Sequence, residues 1–106
     1  MGLRIEERIK VSDWSNPRRV VVCDNPTTGS RELWFSSFAN QCVGDPCSQC
    51  LERAEQGARI LHREGRSFRF ENRRWLVMEY PADHPTDREG ILGFLNEAFG
   101  GAWQFS

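Results

Sequence analysis

Three cysteines fall within nine residues of this chain, and they are the side chains best suited to chemistry. Cys42, Cys47 and Cys50 form a C-x4-C-x2-C run, and a fourth cysteine, Cys23, lies nineteen positions upstream. Thiolate sulfur is a preferred ligand of zinc, and four thiolates complete a tetrahedral site with no open position for catalysis. The spacing therefore predicts either a bound metal or a redox-active pair of thiols.

The elements around the cysteines decide whether the four sulfurs can meet. Asp45, followed by a proline, is a good helix N-cap, so a helix is expected to begin within the cysteine run. The N-terminal end of a helix favours thiolate, and cysteines three residues apart are neighbours there. Cys23 ends a predicted strand whose hairpin partner leads into the same loop. We therefore predict a structural zinc site, although buried thiols without a ligand remain an alternative. The predicted zinc ligands are Cys23, Cys42, Cys47 and Cys50.

Two resemblances point to redox chemistry instead. Residues 42–50 resemble the cluster loop of plant-type ferredoxins, which also carries a glycine and a serine, as Gly44 and Ser48 do here. That resemblance implies an iron–sulfur cluster. The segment from Cys47 to Cys50 also resembles the C-x-x-C of thioredoxin-like proteins, which implies Cys47 as the attacking thiolate and Cys50 as the resolving thiol. A thiol or iron–sulfur redox protein that uses these two cysteines is the competing prediction.

A second candidate site is a hairpin, over residues 66–75, that interleaves arginines with aromatic residues. Such side chains on a sheet can stack on bases and hold phosphates, and the same arginines would suit an acidic protein surface. The alternative is a core strand, because Phe68 and Phe70 would share one strand face while Arg69 takes the other. The candidate partner-binding residues are Arg66, Arg69, Arg73, Arg74 and Trp75.

Composition limits the class of protein. The chain has 106 residues, 39% of them hydrophobic, which predicts one small globular domain over residues 1–106. Its net charge of -1 gives no overall attraction to nucleic acid or to an anionic membrane. No segment approaches the roughly 20 apolar residues of a membrane span, and no apolar run opens the chain. We therefore expect a cytoplasmic protein, in which cysteines stay reduced.

The hydrophobic pattern predicts an α+β fold. Apolar residues alternate with charged ones over 3–11, and two further strand patterns, 18–23 and 31–38, flank a turn at 25–29. A helix follows the cysteines, a second hairpin covers 67–81, and a capping box that starts at Thr86 opens a last helix. We predict an antiparallel sheet of about five strands with two helices on one face, in the order β-β-β-α-β-β-α.

These observations favour a binding protein. No set of nucleophile, histidine and acid is visible, so we do not expect an enzyme. We expect a small cytoplasmic adaptor that acts through protein–protein contacts and is stabilised by zinc, with nucleic-acid binding through hairpin 66–75 as the alternative. Trp14 and Trp103, near the chain ends, are further aromatic residues that could form an interface.

Overall fold

Six antiparallel strands form a single sheet in the part of the chain that the structure describes. The structure, a computed structural model, describes residues 2–11, 18–36, 48–72, 74–99 and 103–105. Its elements are β1 (Arg4–Val11), β2 (Arg18–Asp24), β3 (Arg31–Ser36), α1 (Ser48–Arg63), β4 (Phe68–Glu71), β5 (Trp75–Glu79), α2 (Arg88–Phe99) and β6 (Trp103–Phe105). The strands lie in the order β4-β5-β3-β2-β1-β6. The predicted α+β fold is confirmed, and the short strand β6 is an addition to it.

Both helices cover one face of the sheet, and this helix-covered face forms the core. Because side chains alternate between the faces of a strand, every second residue points toward the helices. Leu61 of α1 and Phe94 of α2 complete the cluster, and Phe35 lies 5.5 Å from Phe99 between ring centroids. Each large side chain that is fully buried contributes about 1.5–3 kcal/mol. The buried strand residues of this face include Ile9, Val20, Val22, Leu33, Phe35, Leu76 and Met78.

Trp103 belongs to this core. Its residue is 7% exposed, and its ring lies 5.2 Å from that of Phe35, edge to face. The expectation that Trp103 could form an interface is therefore wrong. The physical reason is the pairing of β6 with the edge of β1, which places Trp103 on the side of the helices. Trp14 lies outside the described residues.

The turns are formed by residues that suit them. The side-chain oxygen of Asn25 accepts hydrogen bonds from the backbone amides of Thr27 and Thr28 in the first hairpin. Asn72 adopts a φ of 53° in the second hairpin, a conformation that asparagine tolerates better than most residues. Gly65 follows the end of α1 with a φ of 72°, and the amide of Arg66 donates to the carbonyl of Leu61, as in a Schellman motif.

Helix α2 begins one residue later than the capping box predicts. Asp87, rather than Thr86, is the N-cap, because the Asp87 carboxylate accepts a hydrogen bond of 2.8 Å from the amide of Gly90. The predicted N-cap of α1 at Asp45 lies outside the described residues. Neither of the described helices is long and apolar enough to cross a membrane.

Candidate binding surface

Among the residues that the structure describes, no helix lies on the opposite face of the sheet, and two tryptophans lie at the centre of this face. We call it the helix-free face. Trp34 of β3 pairs with Val77 of β5, and Trp75 of β5 pairs with Ser36 of β3, so the two indoles lie side by side. Their ring centroids are 6.0 Å apart at 67°. Both tryptophans are half-buried and lie outside the core cluster. The described residues with side chains on this face are Arg4, Glu6, Arg8, Arg19, Val21, Cys23, Glu32, Trp34, Ser36, Arg69, Glu71, Trp75, Val77, Glu79 and Gln104.

Arg19 covers one of the two tryptophans. Its guanidinium carbon lies 5.6 Å from the centroid of the Trp75 ring, within the range of a cation–π contact. The same guanidinium forms an ion pair of 2.6 Å with Glu6 on the neighbouring strand. The pair fixes the position of Arg19, although half-exposed ion pairs contribute only about 0–1 kcal/mol.

Glu32 holds the other tryptophan in place. Its carboxylate accepts a hydrogen bond of 3.2 Å from the indole nitrogen of Trp34 and bonds of 2.7 and 3.2 Å from Arg69. Arg69 in turn lies 5.7 Å from the Trp34 ring and pairs with Glu71. Hydrogen bonds from Arg69 are the main reason that the pKa of Glu32 lies below its usual range. Glu32 is therefore ionised at neutral pH and fixes the indole orientation.

A shallow cavity of about 180 Å³ lies beside the tryptophans. It is smaller than the roughly 300–1,000 Å³ of most small-molecule sites and offers room for one large side chain. Cys23 forms part of its lining, and burial is the largest cause that raises the pKa of this thiol. The thiol is thus neutral at physiological pH, and Arg4 is the one cation among the described residues that line the cavity. These described lining residues are Arg4, Val21, Cys23, Trp34 and Trp75.

Charge is distributed unevenly over the helix-free face. Among the described side chains, strands β1 and β2 contribute three arginines and one glutamate, so this half has a net charge of +2. Strands β3, β4 and β5 contribute three glutamates and one arginine, so that half has a net charge of -2. The tryptophan pair lies close to the boundary. The two halves of the helix-free face therefore carry opposite net charges. The Trp34–Trp75 pair between them, with Arg19 and Arg69 over the rings, is called the aromatic centre.

The two described cysteines of the predicted zinc site lie on different sides of the sheet. Cys23 is on the helix-free face, whereas Cys50 is buried on α1, on the helix side shared with Leu61 that packs toward the core. Cys42 and Cys47 lie outside the described residues. No group of three or more potential metal ligands occurs within the described part of the chain. The four-cysteine site and the redox pair both stay predictions.

The hairpin residues predicted to bind a partner are also divided between the two faces. Arg69 and Trp75 lie on the helix-free face. Arg66 lies by α2, where it pairs with Glu97 at 3.3 Å and covers the Phe94 ring. Arg74 is exposed near the turn, and Arg73 lies outside the described residues. The predicted Arg/aromatic site is therefore not one continuous surface among its described members.

Phe68 and Phe70 do share one face of β4, opposite Arg69, as the alternation predicts. They pair with Met78 and Leu76 of the helix-covered face. Phe70 stays 46% exposed because β4 is an edge strand.

Two members of the aromatic centre were not predicted as functional. Trp34 and Arg19 stand within apolar strand patterns, and the signal that identifies them is their position between inward residues. Trp34 lies between Leu33 and Phe35, which are both buried, so it must point to the other face.

Comparison of the chain with protein-family models, curated proteins and solved structures finds no match.

Proposed function

We propose that this chain is a binding protein that acts through protein–protein contacts made by the helix-free face. The observation that carries the proposal is the pair of half-exposed tryptophans, Trp34 and Trp75, held at the centre of that face by arginines and carboxylates. Tryptophan and arginine are enriched among the residues that dominate binding energy in protein interfaces. A rigid sheet presents them with little loss of side-chain entropy on binding.

The ion pairs favour a protein over a nucleic acid as the partner. Nucleic-acid binding depends on cations that neutralise phosphates. Arg19 and Arg69 already pair with glutamates of this chain at 2.6–2.7 Å, and a phosphate would have to compete with those carboxylates. Half of the face carries net negative charge, which repels a phosphate backbone. Nucleic-acid binding is therefore the alternative that the first experiment must test.

The experiment is a comparison of immobilised variants in extract of the native host. Trp34→Ala with Trp75→Ala removes the aromatic centre, whereas Phe70→Ala removes an exposed aromatic residue on the other face as a matched control. We expect proteins retained by the wild type to be lost from the double variant and kept by the control. Equal retention by all three proteins would contradict the proposal. Retention of the wild type on heparin that weakens with salt, together with single-strand binding, would favour the nucleic-acid alternative.

Structural zinc remains a proposal, supported by the C-x4-C-x2-C spacing of the cysteines. The full four-cysteine site requires that Cys23→Ser and Cys50→Ser each lower the zinc content and the melting temperature. Loss of zinc only from Cys50→Ser would restrict the site to the cysteine run. Iron with sulfide in the purified protein would indicate an iron–sulfur cluster instead, and protein without any metal would contradict both metal proposals.

A further inference from the structure

A second cavity lies on the helix-free face, over the end of β5. Its volume is about 330 Å³, which is larger than the cavity beside the tryptophans and within the size range of small-molecule sites. The turn before β3 contributes Ser30 to one wall, and the segment before β4 contributes Ser67 to the opposite wall. The three charged residues among its described lining are Glu32, Arg69 and Glu79.

Only one of the two carboxylates at this cavity is neutralised by the protein itself. Glu32 and Glu79 stand directly opposite each other on β3 and β5. The guanidinium of Arg69 donates to Glu32 at 2.7 and 3.2 Å and also to Glu71 at 2.7 Å, so this cation is shared by two carboxylates. Glu79 is exposed and forms no ion pair with any residue that the structure describes. Two carboxylates and one guanidinium give the described lining a net charge of -1.

The remaining lining suits a cation with an apolar stem. The hydroxyls of Ser30 and Ser67 can accept hydrogen bonds, whereas Thr28 and Arg69 carry methyl or methylene groups beside their polar atoms. Lysine and arginine have a charged group at the end of an aliphatic chain, so they match both kinds of lining. A phosphate or a carboxylate would be repelled by the unpaired charge of Glu79.

We propose that this cavity binds the side chain of a lysine or arginine of the partner protein, with the cationic group against Glu79. This rests on the proposed function and names a chemical feature of the partner. Charge complementarity selects the occupant, because the half of the face formed by β3, β4 and β5 has a net charge of -2. Arg69 borders the cavity and also covers the Trp34 ring, so the bound side chain lies beside the aromatic centre.

The test is a titration of the isotope-labelled full chain, followed by its amide chemical shifts. The probes are the N-acetylated amides of lysine and arginine, and a single exposed ion pair predicts binding in the millimolar range. We expect saturable shifts at Ser30, Ser67 and Glu79. The N-acetylated amide of norleucine has a similar stem without the charge and should bind much more weakly.

Variants of the unpaired carboxylate show whether its charge holds the probe. Glu79→Gln should weaken binding of the lysine probe about threefold or more, and Glu79→Arg should abolish it. Glu52→Gln is the matched control, because Glu52 is an exposed carboxylate on α1 without an ion pair to any described residue. This control should bind the probe like the wild type.

A blocked peptide with one lysine between two alanines on each side distinguishes a side chain of a protein from a free amine. We expect it to bind at least as tightly as the lysine probe and to shift the same amides. Exclusion of the peptide would overturn the proposal in favour of a free small cation.

Three further results would overturn the proposal. They are no saturable shift with either cationic probe, equal binding of the norleucine probe, and a Glu79→Gln variant that binds like the wild type. If the tryptophan double variant loses its partner proteins while the cavity binds no cation, this inference fails and the proposed function stands. If the cavity binds the probes but all variants retain the same host proteins, the proposed function fails, and with it the assignment of the cavity to a partner protein.

Discussion

The two faces of the sheet are made by alternate residues of the same strands, yet they differ in burial and in polarity. On β3, Leu33 and Phe35 are at most 2% exposed beneath the helices. Trp34, between them, is half-buried on the other face, hydrogen-bonded to a carboxylate and covered by an arginine. Apolar contacts hold the side chains of the helix-covered face in place. On the helix-free face, ion pairs and cation–π contacts between strands fix the tryptophans and arginines.

We expect this difference to separate the residues that stabilise the fold from those proposed to bind a partner. Removal of an apolar side chain from the core leaves a cavity that the surroundings fill only in part. Trp34, Trp75 and the arginines of the helix-free face are reached by water, so changes of those side chains should cost less stability, whereas Val21 and Val77 of the same face are at most 3% exposed. We infer that the helix-covered face determines whether the chain folds. Exposed residues of the other face can be substituted with less loss of stability.

The largest expected effect comes from substitutions of adjacent residues on the two faces. Phe35→Ala should lower the free energy of unfolding by about 3–5 kcal/mol, because the ring contacts Phe99 and Trp103 within the core. Trp34→Ala should lower it by only about 1–2 kcal/mol, because the indole is half-exposed. Urea denaturation measures both values. Equal losses would show that the helix-free face is part of the core.

The next effect tests how closely α2 packs. A Cβ at Gly90 would lie 2.4 Å from the carbonyl oxygen of Pro85, which is backbone and also accepts a hydrogen bond from Tyr80. Gly90→Ala should therefore destabilise the protein by about 1–3 kcal/mol. Gly93→Ala is the matched control. It meets no atom within 4 Å and should stabilise the helix by about 0.5–1 kcal/mol. Thermal unfolding measures the stability of both variants. A Gly90→Ala variant as stable as Gly93→Ala would contradict the close approach of α2 to Pro85.

The smallest of these effects is the pH dependence of Glu32. Because its pKa is lowered in the folded protein, mainly by Arg69, its contribution to stability is present above the usual glutamate pKa. That contribution is lost as the pH falls through the lowered value. Glu32→Gln should cost about 1–2 kcal/mol at neutral pH and remove part of the acid-induced loss. Glu71→Gln, at the more exposed partner of Arg69, should cost less. A pH profile of Glu32→Gln identical to that of the wild type would contradict this role.

Alternation in the sequence was sufficient to predict most of the fold. Period-two patterns identified β1, and Asn25 with Gly29 marked the first hairpin, because local propensity and burial agree there. Strand β6 could not be predicted, since its three residues become a strand only by pairing with the distant edge of β1. The aromatic centre was missed for the same reason. Trp34 and Arg19 contact their partners only because of the order in which the strands pair. The residue pattern within one strand does not reveal that order.

The cysteines show the limit of arguments from spacing. A short C-x-x-C spacing within one helix constrains two sulfurs locally, but the position of Cys23 depends on which face of β2 it occupies. The register of β2 with β3 places it beside Val21, Trp34 and Trp75, opposite the helices. Spacing alone could not determine that face.

Hydroxyl-radical footprinting by mass spectrometry tests most directly whether the helix-free face is the binding surface. Reactivity would be measured for Trp34 and Trp75, and for Phe70 and Leu51, which are about 45% exposed and lie on the other side of the sheet. Protein alone would be compared with protein in host extract. We predict that the two tryptophans lose reactivity on association while Phe70 and Leu51 keep theirs. Protection of Phe70 and Leu51 with unchanged tryptophans would contradict the account.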